Sequence, residues 1–382
     1  MPHNNGWLQR TAQLMAERES QGLTRRRRCV DSLDPRTVEV EGRRYLQFAS
    51  NDYLGLAFGD NRAAPRQGAA GSALISGYHP AHRALERLLC EATGYEAALL
   101  FSSGFAANSA PLALCRKGDR VLADKLAHAS ILDAALASDA TLRRFGHNDM
   151  AMLARWLERD AALTLVATES VFSMDGDQAP LAAFVALCRQ HGALSWVDDA
   201  HGLGIIGRDG LGASTIAKPD LLTLTFGKAM GASGAALLGS QALIDAIVQS
   251  ARHYIYSTAI PVDLARHLAQ QWQRLQLSDG RQRLQARIAQ FRCGAQAQGW
   301  QLLDSASPIQ PILVGESRMA LALARRLNQA GIWCPAIRPP TVPKGQARLR
   351  VVINAGHEPE DIDRLLAALA DARAQEGAYG DR

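Results

Sequence analysis

Short apolar runs alternate with amphipathic stretches between residues 83 and 250. The apolar runs have few polar positions, which is typical of strands buried on both faces of a parallel sheet. The stretches between them repeat apolar residues at helical spacing. This alternation predicts a large α/β domain with a mostly parallel central sheet. The predicted strands are 97–101, 120–123, 163–168, 193–197, 221–225 and 235–239, and the predicted helices are 83–93, 106–115, 131–138, 150–159 and 181–191.

The flanking segments predict smaller elements. A helix is expected at 7–21, a β-hairpin at 37–40 and 45–48, and one long helical stretch at 262–298. Strands and helices beyond residue 299 predict a small α+β C-terminal domain, and the tail 376–382 is expected to be disordered. The predicted domains are an N-terminal arm and hairpin (1–49), the large domain (50–262), a linking helical segment (263–298) and the small domain (299–382).

Composition narrows the class of protein. The chain has 382 residues, 47% of them hydrophobic, and its six cysteines are scattered without close pairs. Neither a disulfide framework nor a metal site is expected, and the absence of a leader or of a run near the roughly 20 apolar residues of a membrane span predicts a cytoplasmic protein. The net charge is +5, but only 25–28 form a dense basic run, so we expect no nucleic-acid partner.

Chemistry-bearing residues follow several of the predicted strands. Lys228 leaves strand 221–225 among glycines, which suits a Schiff-base lysine but also the start of a polar loop. Asp198 and His201 follow strand 193–197, where the acid can hold a pyridine nitrogen protonated or cap a helix. His128 follows strand 120–123, where its imidazole can stack on a ring or serve as a cap. Small residues after strand 97–101 can open a helix at a phosphate or be an ordinary cap.

These residues converge on one chemistry. Ligands of a parallel sheet sit at the carboxyl ends of its strands, so the residues that follow different strands are expected to face one cleft. A lysine for an aldehyde, an acid for a pyridinium, a histidine for a ring and a helix start for a phosphate are together what pyridoxal 5′-phosphate requires. The sequence therefore predicts an enzyme that uses this cofactor.

The chain resembles the α-oxoamine synthases, which are fold-type I pyridoxal-phosphate enzymes that join an amino acid to an acyl thioester with loss of CO2. The resemblance covers nearly the whole chain and implies a fold-type I transferase. The matching motifs are SNDYLGL (50–56), SGY (76–78), HRALE (82–86), SGFAAN (103–108), FSMDGD (172–177), VDDAHG (197–202), TFGK (225–228), YST (256–258), RPPTVP (338–343) and RLR (348–350).

The resemblance also implies a role for individual residues. Lys228 carries the cofactor and then removes the α proton of the amino acid, with Asp198 at the ring nitrogen and His201 at the phenolic oxygen. His128 stacks on the ring. The remaining implied cofactor contacts are Ser103, Gly104, Phe105, Ser173 and Thr225, and the implied substrate contacts are Arg26, Asn51, Thr341 and Arg350.

Within this family, the SGY motif, Arg26 and the RPPTVP loop resemble the branch that condenses L-alanine with a pimeloyl thioester in biotin biosynthesis. The thioester comes from acyl carrier protein or from CoA. Family membership implies a homodimer with its active site at the subunit interface, where Ser257 or Thr258 of one subunit reaches the other subunit's phosphate. Two rival activities stay open, those of 2-amino-3-oxobutyrate CoA ligase and serine palmitoyltransferase, and so does a binding protein that has lost the cofactor.

Overall fold

The computed structural model describes residues 5–20, 24, 27–34, 37–46, 68–159 and 163–380. The helices are α1 (Asn5–Ser20), α2 (Pro80–Thr93), α3 (Gly104–Ser109), α4 (Ala129–Ala137), α5 (Met150–Leu157), α6 (Leu181–Gln190), α7 (Gln241–Ser250), α8 (Arg252–Ile255), α9 (Val262–Leu277), α10 (Gly280–Ala297), α11 (Ser317–Gln329) and α12 (Pro359–Gly380). The strands are β1 (Val30–Asp34), β2 (Thr37–Val40), β3 (Arg43–Leu46), β4 (Ala97–Phe101), β5 (Arg120–Asp124), β6 (Thr141–Phe145), β7 (Thr164–Glu169), β8 (Leu194–Asp198), β9 (Leu221–Thr225), β10 (Ala235–Gly239), β11 (Ile309–Gly315), β12 (Ala336–Ile337) and β13 (Ala347–Val352).

The chain forms two compact units. Unit 1 comprises 1–170 and 179–276, and unit 2 comprises 171–178 and 277–382. Unit 2 therefore begins inside the stretch 263–298 that the sequence predicts to link two domains, and it includes a short segment that follows β7. The domain boundaries drawn from the sequence stay a prediction.

Unit 1 is built on a seven-stranded sheet with the order β4-β10-β9-β8-β7-β5-β6. The pairs from β9 through β8, β7 and β5 to β6 are parallel, and β10 runs antiparallel to both of its neighbours. Strands β4, β7, β8 and β10 are buried along their whole length, which explains why their sequences lack alternation. The predicted mostly parallel α/β sheet is confirmed.

The N-terminal hairpin also forms, with one addition. Strands β2 and β3 pair antiparallel as predicted, and β1 adds a third strand that the sequence pattern did not indicate. Residues 47 and 48 of the predicted second strand lie outside the described residues.

Unit 2 carries an antiparallel sheet with the order β11-β13-β12. Helix α11 packs against this sheet and against α12, and α10 also packs against α12. This arrangement confirms the predicted α+β character of the C-terminal region.

Two helix predictions and the prediction of a disordered tail need correction. The stretch 262–298 forms two helices, α9 and α10, because the chain turns at Ser278 and Asp279. The predicted helix 106–115 ends as α3 at Ser109 and continues as a 3-10 turn, since Pro111 cannot donate a helical hydrogen bond. The tail predicted to be disordered is helical through Gly380 as part of α12.

Candidate active site

The carboxyl ends of β4, β5, β7, β8 and β9 form one edge of the sheet in unit 1, because these strands run in the same direction. Most of the predicted cofactor residues lie at this edge. Those that follow these strands directly are Ser103, Gly104 and Phe105 after β4, His128 after β5, Asp198 and His201 at β8, and Thr225 and Lys228 at β9.

The loop after β9 presents Lys228. The N–H of Phe226 donates to the Gly234 carbonyl at 2.9 Å, and the N–H of Ala232 donates to the Phe226 carbonyl at 2.9 Å. These bonds close the loop back toward β10, while the Lys228 side chain is exposed at its tip. Gly231 and Gly234 have positive φ angles of 57° and 97°, which explains the glycines that follow this lysine.

Asp198 ends β8 and is held at both of its oxygens. The N–H of Ala200 donates to Oδ1 at 2.9 Å, and the Asn108 amide donates to Oδ2 at 2.6 Å. The side chain is only 4% exposed. These two donors fix the position of the buried Asp198 side chain.

His128 begins α4 and its side chain is exposed. Its Nδ1 accepts from the backbone N–H of Ser130 at 3.2 Å and lies 2.8 Å from the Ser130 hydroxyl. That hydroxyl also receives the second hydrogen of the Asn108 amide, at 2.9 Å. Hydrogen bonds therefore link His128 to Asp198 through Ser130 and Asn108, two residues to which the sequence assigned no role.

Glu169 is a second buried carboxyl group at this edge that the sequence analysis missed. It ends β7 and is paired in register with Asp198 on β8. Its Oε1 is buried and has no hydrogen-bond partner within the described parts of the chain. Burial raises the pKa of Glu169 well above its usual range, Asp198 adds to this rise, and the Lys228 charge opposes it. A signal was present in the sequence, since Glu169 directly follows a predicted apolar strand.

Asp199 faces away from the partners of Asp198. Its Oδ2 accepts the N–H of Ala213 at 2.9 Å, and a Cβ on Gly212 would collide with this carboxylate. Burial raises the pKa of Asp199 to about 7. Asp199 therefore fixes the loop at Gly212, and the structure gives it different neighbours from those of Asp198.

The start of α3 carries the predicted phosphate contacts. The Ser103 hydroxyl accepts the N–H of Ala106 at 3.2 Å and so caps the helix. A Cβ on Gly104 would lie 2.8 Å from the Thr225 hydroxyl, so glycine is needed for this close approach of α3 to the end of β9. Phe105 is half exposed beside them.

In unit 2, β13 holds the turn that contains Ser173. The Arg350 Nε–H donates to the Ser173 carbonyl at 2.8 Å, and Arg348 forms an ion pair with Asp175 of the same turn. Burial lowers the pKa of the Arg350 guanidinium. Its two terminal nitrogens have no acceptor assigned among the residues that the structure describes, which leaves them available for a carboxylate.

The other predicted substrate contacts are less defined. Thr341 is exposed in the Pro-rich loop of unit 2. Arg26 and Asn51 lie outside the described residues.

Arg27, in the basic run at 25–28 that was expected to be mainly a solvated face, makes a structural contact. Arg27 donates to both oxygens of Glu86 at 2.8 and 2.7 Å, and its guanidinium lies over the Tyr78 ring. Although burial acts to lower it, the Glu86 carboxylate raises the pKa of Arg27.

Two features are absent from the described part of the chain. No cluster of three or more His, Cys, Asp or Glu side chains in it is arranged to hold a metal ion. Nor does any helix in it have the length and apolar character to span a membrane.

Comparison with known proteins identifies the class. Residues 43–369 match the family model for aminotransferase class I and II. The chain therefore belongs to the class I and II aminotransferase family. Within it, a similar curated relative is the 8-amino-7-oxononanoate synthase of Klebsiella pneumoniae (strain 342), which is 50% identical over 95% of this chain and 98% of its own length.

Solved structures agree with this class. A serine palmitoyltransferase from Sphingomonas wittichii is 29% identical, with a TM-score of 0.79 over 96% of this chain and 97% of its own. A structure of the same enzyme type that contains pyridoxal phosphate is 27% identical, with a TM-score of 0.79 over 95% of this chain and 97% of its own.

Proposed function

We propose that this protein condenses L-alanine with a pimeloyl thioester, releasing CO2 and the thiol carrier and forming 8-amino-7-oxononanoate for biotin biosynthesis. The 50% identity to the Klebsiella synthase across nearly the whole chain carries this proposal. The identity to the serine palmitoyltransferase is lower, at 29%, although that enzyme has a similar fold.

The residues at the sheet edge fit pyridoxal 5′-phosphate, the cofactor of this enzyme class. Lys228 provides an amine for the aldehyde, Asp198 provides a carboxylate with two fixed donors, and the start of α3 lies close to Thr225. When bound, the cofactor supplies an electron-withdrawing ring that stabilises negative charge on the α carbon of the amino acid.

Each of the site's side chains in unit 1 has its own role in the reaction. The Lys228 amine takes the α proton of alanine and holds it until it is returned to the product. Asp198 would hold a proton at the ring nitrogen, and His201 would donate to the phenolic oxygen. His128 would stack on the ring, and Ser103, Gly104, Phe105 and Thr225 would hold the phosphate.

Arg350 binds the carboxylate of alanine. Its Nε is fixed by the Ser173 carbonyl at 2.8 Å, which orients the two terminal nitrogens for a bidentate contact. Thr341, Arg26 and Asn51 would provide further substrate contacts, and Ser173 would contact the cofactor.

The protein acts as a cytoplasmic homodimer that accepts its acyl group from acyl carrier protein. Three exposed apolar side chains, Ile75, Phe105 and Tyr256, support a second copy as partner, because the segments that carry them are neighbours around α3 and α8. Ser257 and Thr258 follow Tyr256 directly and would reach the phosphate of the other subunit. The net charge of +5 supports an acidic acyl carrier protein as donor.

Steady-state assays with purified protein test the reaction. L-alanine and pimeloyl-CoA or pimeloyl acyl carrier protein should give 8-amino-7-oxononanoate, detected by mass spectrometry, and Lys228→Ala should give none. Parallel reactions contain L-serine with palmitoyl-CoA and glycine with acetyl-CoA. A higher kcat/KM for either of these pairs would replace the proposed substrates with that pair.

A further inference from the structure

Asn108 closes the motif 103–108, but no part of the proposed reaction uses it. It lies on α3 and is only 2% exposed. Its amide donates one hydrogen to Asp198 Oδ2 at 2.6 Å and the other to the Ser130 hydroxyl at 2.9 Å. One side chain thus connects α3 to the end of β8 and to the start of α4.

The direction of these bonds is fixed by the atoms involved. The Oδ1 atom of Asn108 is buried without a hydrogen-bond partner in the part of the chain that the structure describes. Rotating the amide would turn this oxygen toward the Asp198 carboxylate and replace an attraction with a repulsion. Asn108 is therefore held in the orientation that directs both of its donors into the site, at the cost of one unsatisfied carbonyl.

The two hydrogen bonds of the Asn108 amide start two branches of a network, one to Asp198 and one through Ser130 to His128. The branch through Ser130 determines which ring nitrogen of His128 carries the hydrogen. A backbone N–H can only donate, so the 3.2 Å bond from the Ser130 N–H makes His128 Nδ1 an acceptor. The Ser130 hydroxyl, which already accepts from Asn108, is left to donate to the same nitrogen at 2.8 Å. With Nδ1 as the acceptor, the ring hydrogen lies on Nε2 in this arrangement.

The other branch fixes the orientation of the Asp198 carboxylate. Ala200 donates to one oxygen and Asn108 to the other, so the plane of the carboxylate is fixed from two sides. Removing the Asn108 donor would leave a buried carboxylate with one fewer hydrogen bond to its charged form.

We propose that Asn108 is a positioning residue for the cofactor ring: its amide orients Asp198 toward the ring nitrogen and, through Ser130, orients the His128 imidazole over the ring face. This inference rests on the proposed function, because the ring is that of pyridoxal 5′-phosphate. It adds a residue that touches neither cofactor nor substrate and acts through two that do.

Three variants separate the branches. Asn108→Ala removes both branches, and Ser130→Ala removes only the one to His128. Gln249→Leu is the matched control, because it removes another buried amide of unit 1 that takes no part in this network. Each variant is compared with wild type for thermal midpoint, cofactor dissociation constant, and kcat and KM for alanine.

Asn108→Ala should bind the cofactor roughly 10-fold or more weakly and lose a similar factor in kcat, as expected for a lost hydrogen bond to a charged group. Its KM for alanine should stay within about twofold, because the alanine carboxylate is bound elsewhere. Ser130→Ala should lose less cofactor affinity, and Gln249→Leu should match wild type in both constants.

The imidazole is measured separately, by NMR of cofactor-free protein with ¹⁵N-labelled histidine. Wild-type His128 should carry its hydrogen on Nε2, and Ser130→Ala should increase the population with the hydrogen on Nδ1. A wild-type His128 with its hydrogen on Nδ1 would refute the His128 branch. This measurement needs no turnover, so it still tests the network if the proposed substrates are wrong.

If Asn108→Ala is unstable, Asn108→Asp tests the role of the amide donor. A carboxylate at position 108 repels Asp198, but a protonated carboxyl group donates to it, so cofactor affinity and kcat of this variant should recover as the pH is lowered. Wild type and Gln249→Leu should show no such recovery. Wild-type cofactor affinity and kcat across the pH range in Asn108→Asp would overturn the proposal, as would an equal loss in Gln249→Leu.

Discussion

Asp199 should make the protein less stable as the pH rises, and Asp199→Asn should remove this effect. The side chain is fully buried and accepts the N–H of Ala213 at 2.9 Å. Burial raises the pKa of Asp199 from 3.8 to about 7, against the lowering effect of hydrogen bonds from Ser170 and Ala213, and Asp198 contributes to the rise. An asparagine can keep the Ala213 bond and present its amide hydrogens to Ser170.

The folded and unfolded states release the Asp199 proton at different pH values, and this difference determines how the free energy of unfolding changes with pH. Between pH 3.8 and about 7 the unfolded carboxyl group is ionised while the folded one stays protonated. The unfolded state then binds fewer protons, so the free energy of unfolding falls as the pH rises through this window and levels off above it. The slope is at most about 1.4 kcal/mol per pH unit, which gives a total of up to about 4 kcal/mol.

Urea unfolding of cofactor-free protein, followed by circular dichroism at several pH values, measures this effect. The stability of Asp199→Asn relative to wild type should increase with pH up to about 7 and then stay constant. Asp175→Asn is a control, because it changes an acid of unit 2 that is paired with Arg348. A difference between Asp199→Asn and wild type that does not depend on pH would refute the reasoning.

The same variant tests the assignment of the ring nitrogen. If Asp198 is the partner of the pyridinium, Asp199→Asn should bind the cofactor and exchange the α hydrogen of alanine at near wild-type rates. Asp198→Asn should slow this exchange by more than about 100-fold, because a neutral pyridine stabilises the α carbanion poorly. Deuterium exchange followed by NMR without acyl donor measures both, and the reverse result would move the role to Asp199.

Three further predictions concern binding and charge. Arg350→Lys replaces a bidentate fork with a point charge, so alanine affinity should fall by about 1–3 kcal/mol while cofactor affinity stays constant. The alanine dissociation constant is measured from cofactor absorbance, with Arg364→Lys as the control. An unchanged constant in Arg350→Lys would exclude Arg350 as the carboxylate ligand. Because burial raises the pKa of Glu169, Glu169→Gln should retain fold and cofactor binding and gain stability at high pH, and a lower thermal midpoint there would contradict a protonated Glu169. For the acyl carrier protein donor, kcat/KM should fall more steeply with salt than for the CoA donor; equal slopes would argue against electrostatic steering.

The sequence predicts the central sheet well because burial leaves a strong local signal. Strands β4, β9 and β10 have the predicted bounds, since β4 and β10 are apolar runs limited by polar or glycine residues and β9 is a mainly apolar run that begins after Asp220. The position of the candidate site follows from the same pattern, because parallel strands bring their carboxyl ends to one edge. This pattern alone was enough to group Lys228, Asp198 and His128 at that edge.

Helix ends and the basic run were harder to predict, because their local signals are ambiguous. The break between α9 and α10 falls at Ser278 and Asp279. The helical pattern of the 37 residues 262–298 continues on both sides of this break, so the pattern does not mark it. Arg27 lies in the run of four arginines at 25–28, and nothing in that local sequence indicates that it reaches Glu86 across 59 positions. Only the tertiary structure distinguishes this arginine from a solvated one.

Asn108 and Glu169 show why part of the candidate site could not be assigned from the sequence. Asn108 contacts Asp198 across 90 positions, and its local sequence indicates only the first turns of a helix. Glu169 ends a buried strand just as Asp198 does, but Asp198 receives two donors while Glu169 Oε1 receives none from the described residues. The strand pattern determines which residues arrive at the edge of the sheet, but the hydrogen-bond partners that meet them there come from distant parts of the chain, so only the tertiary structure shows how the two carboxyl groups differ.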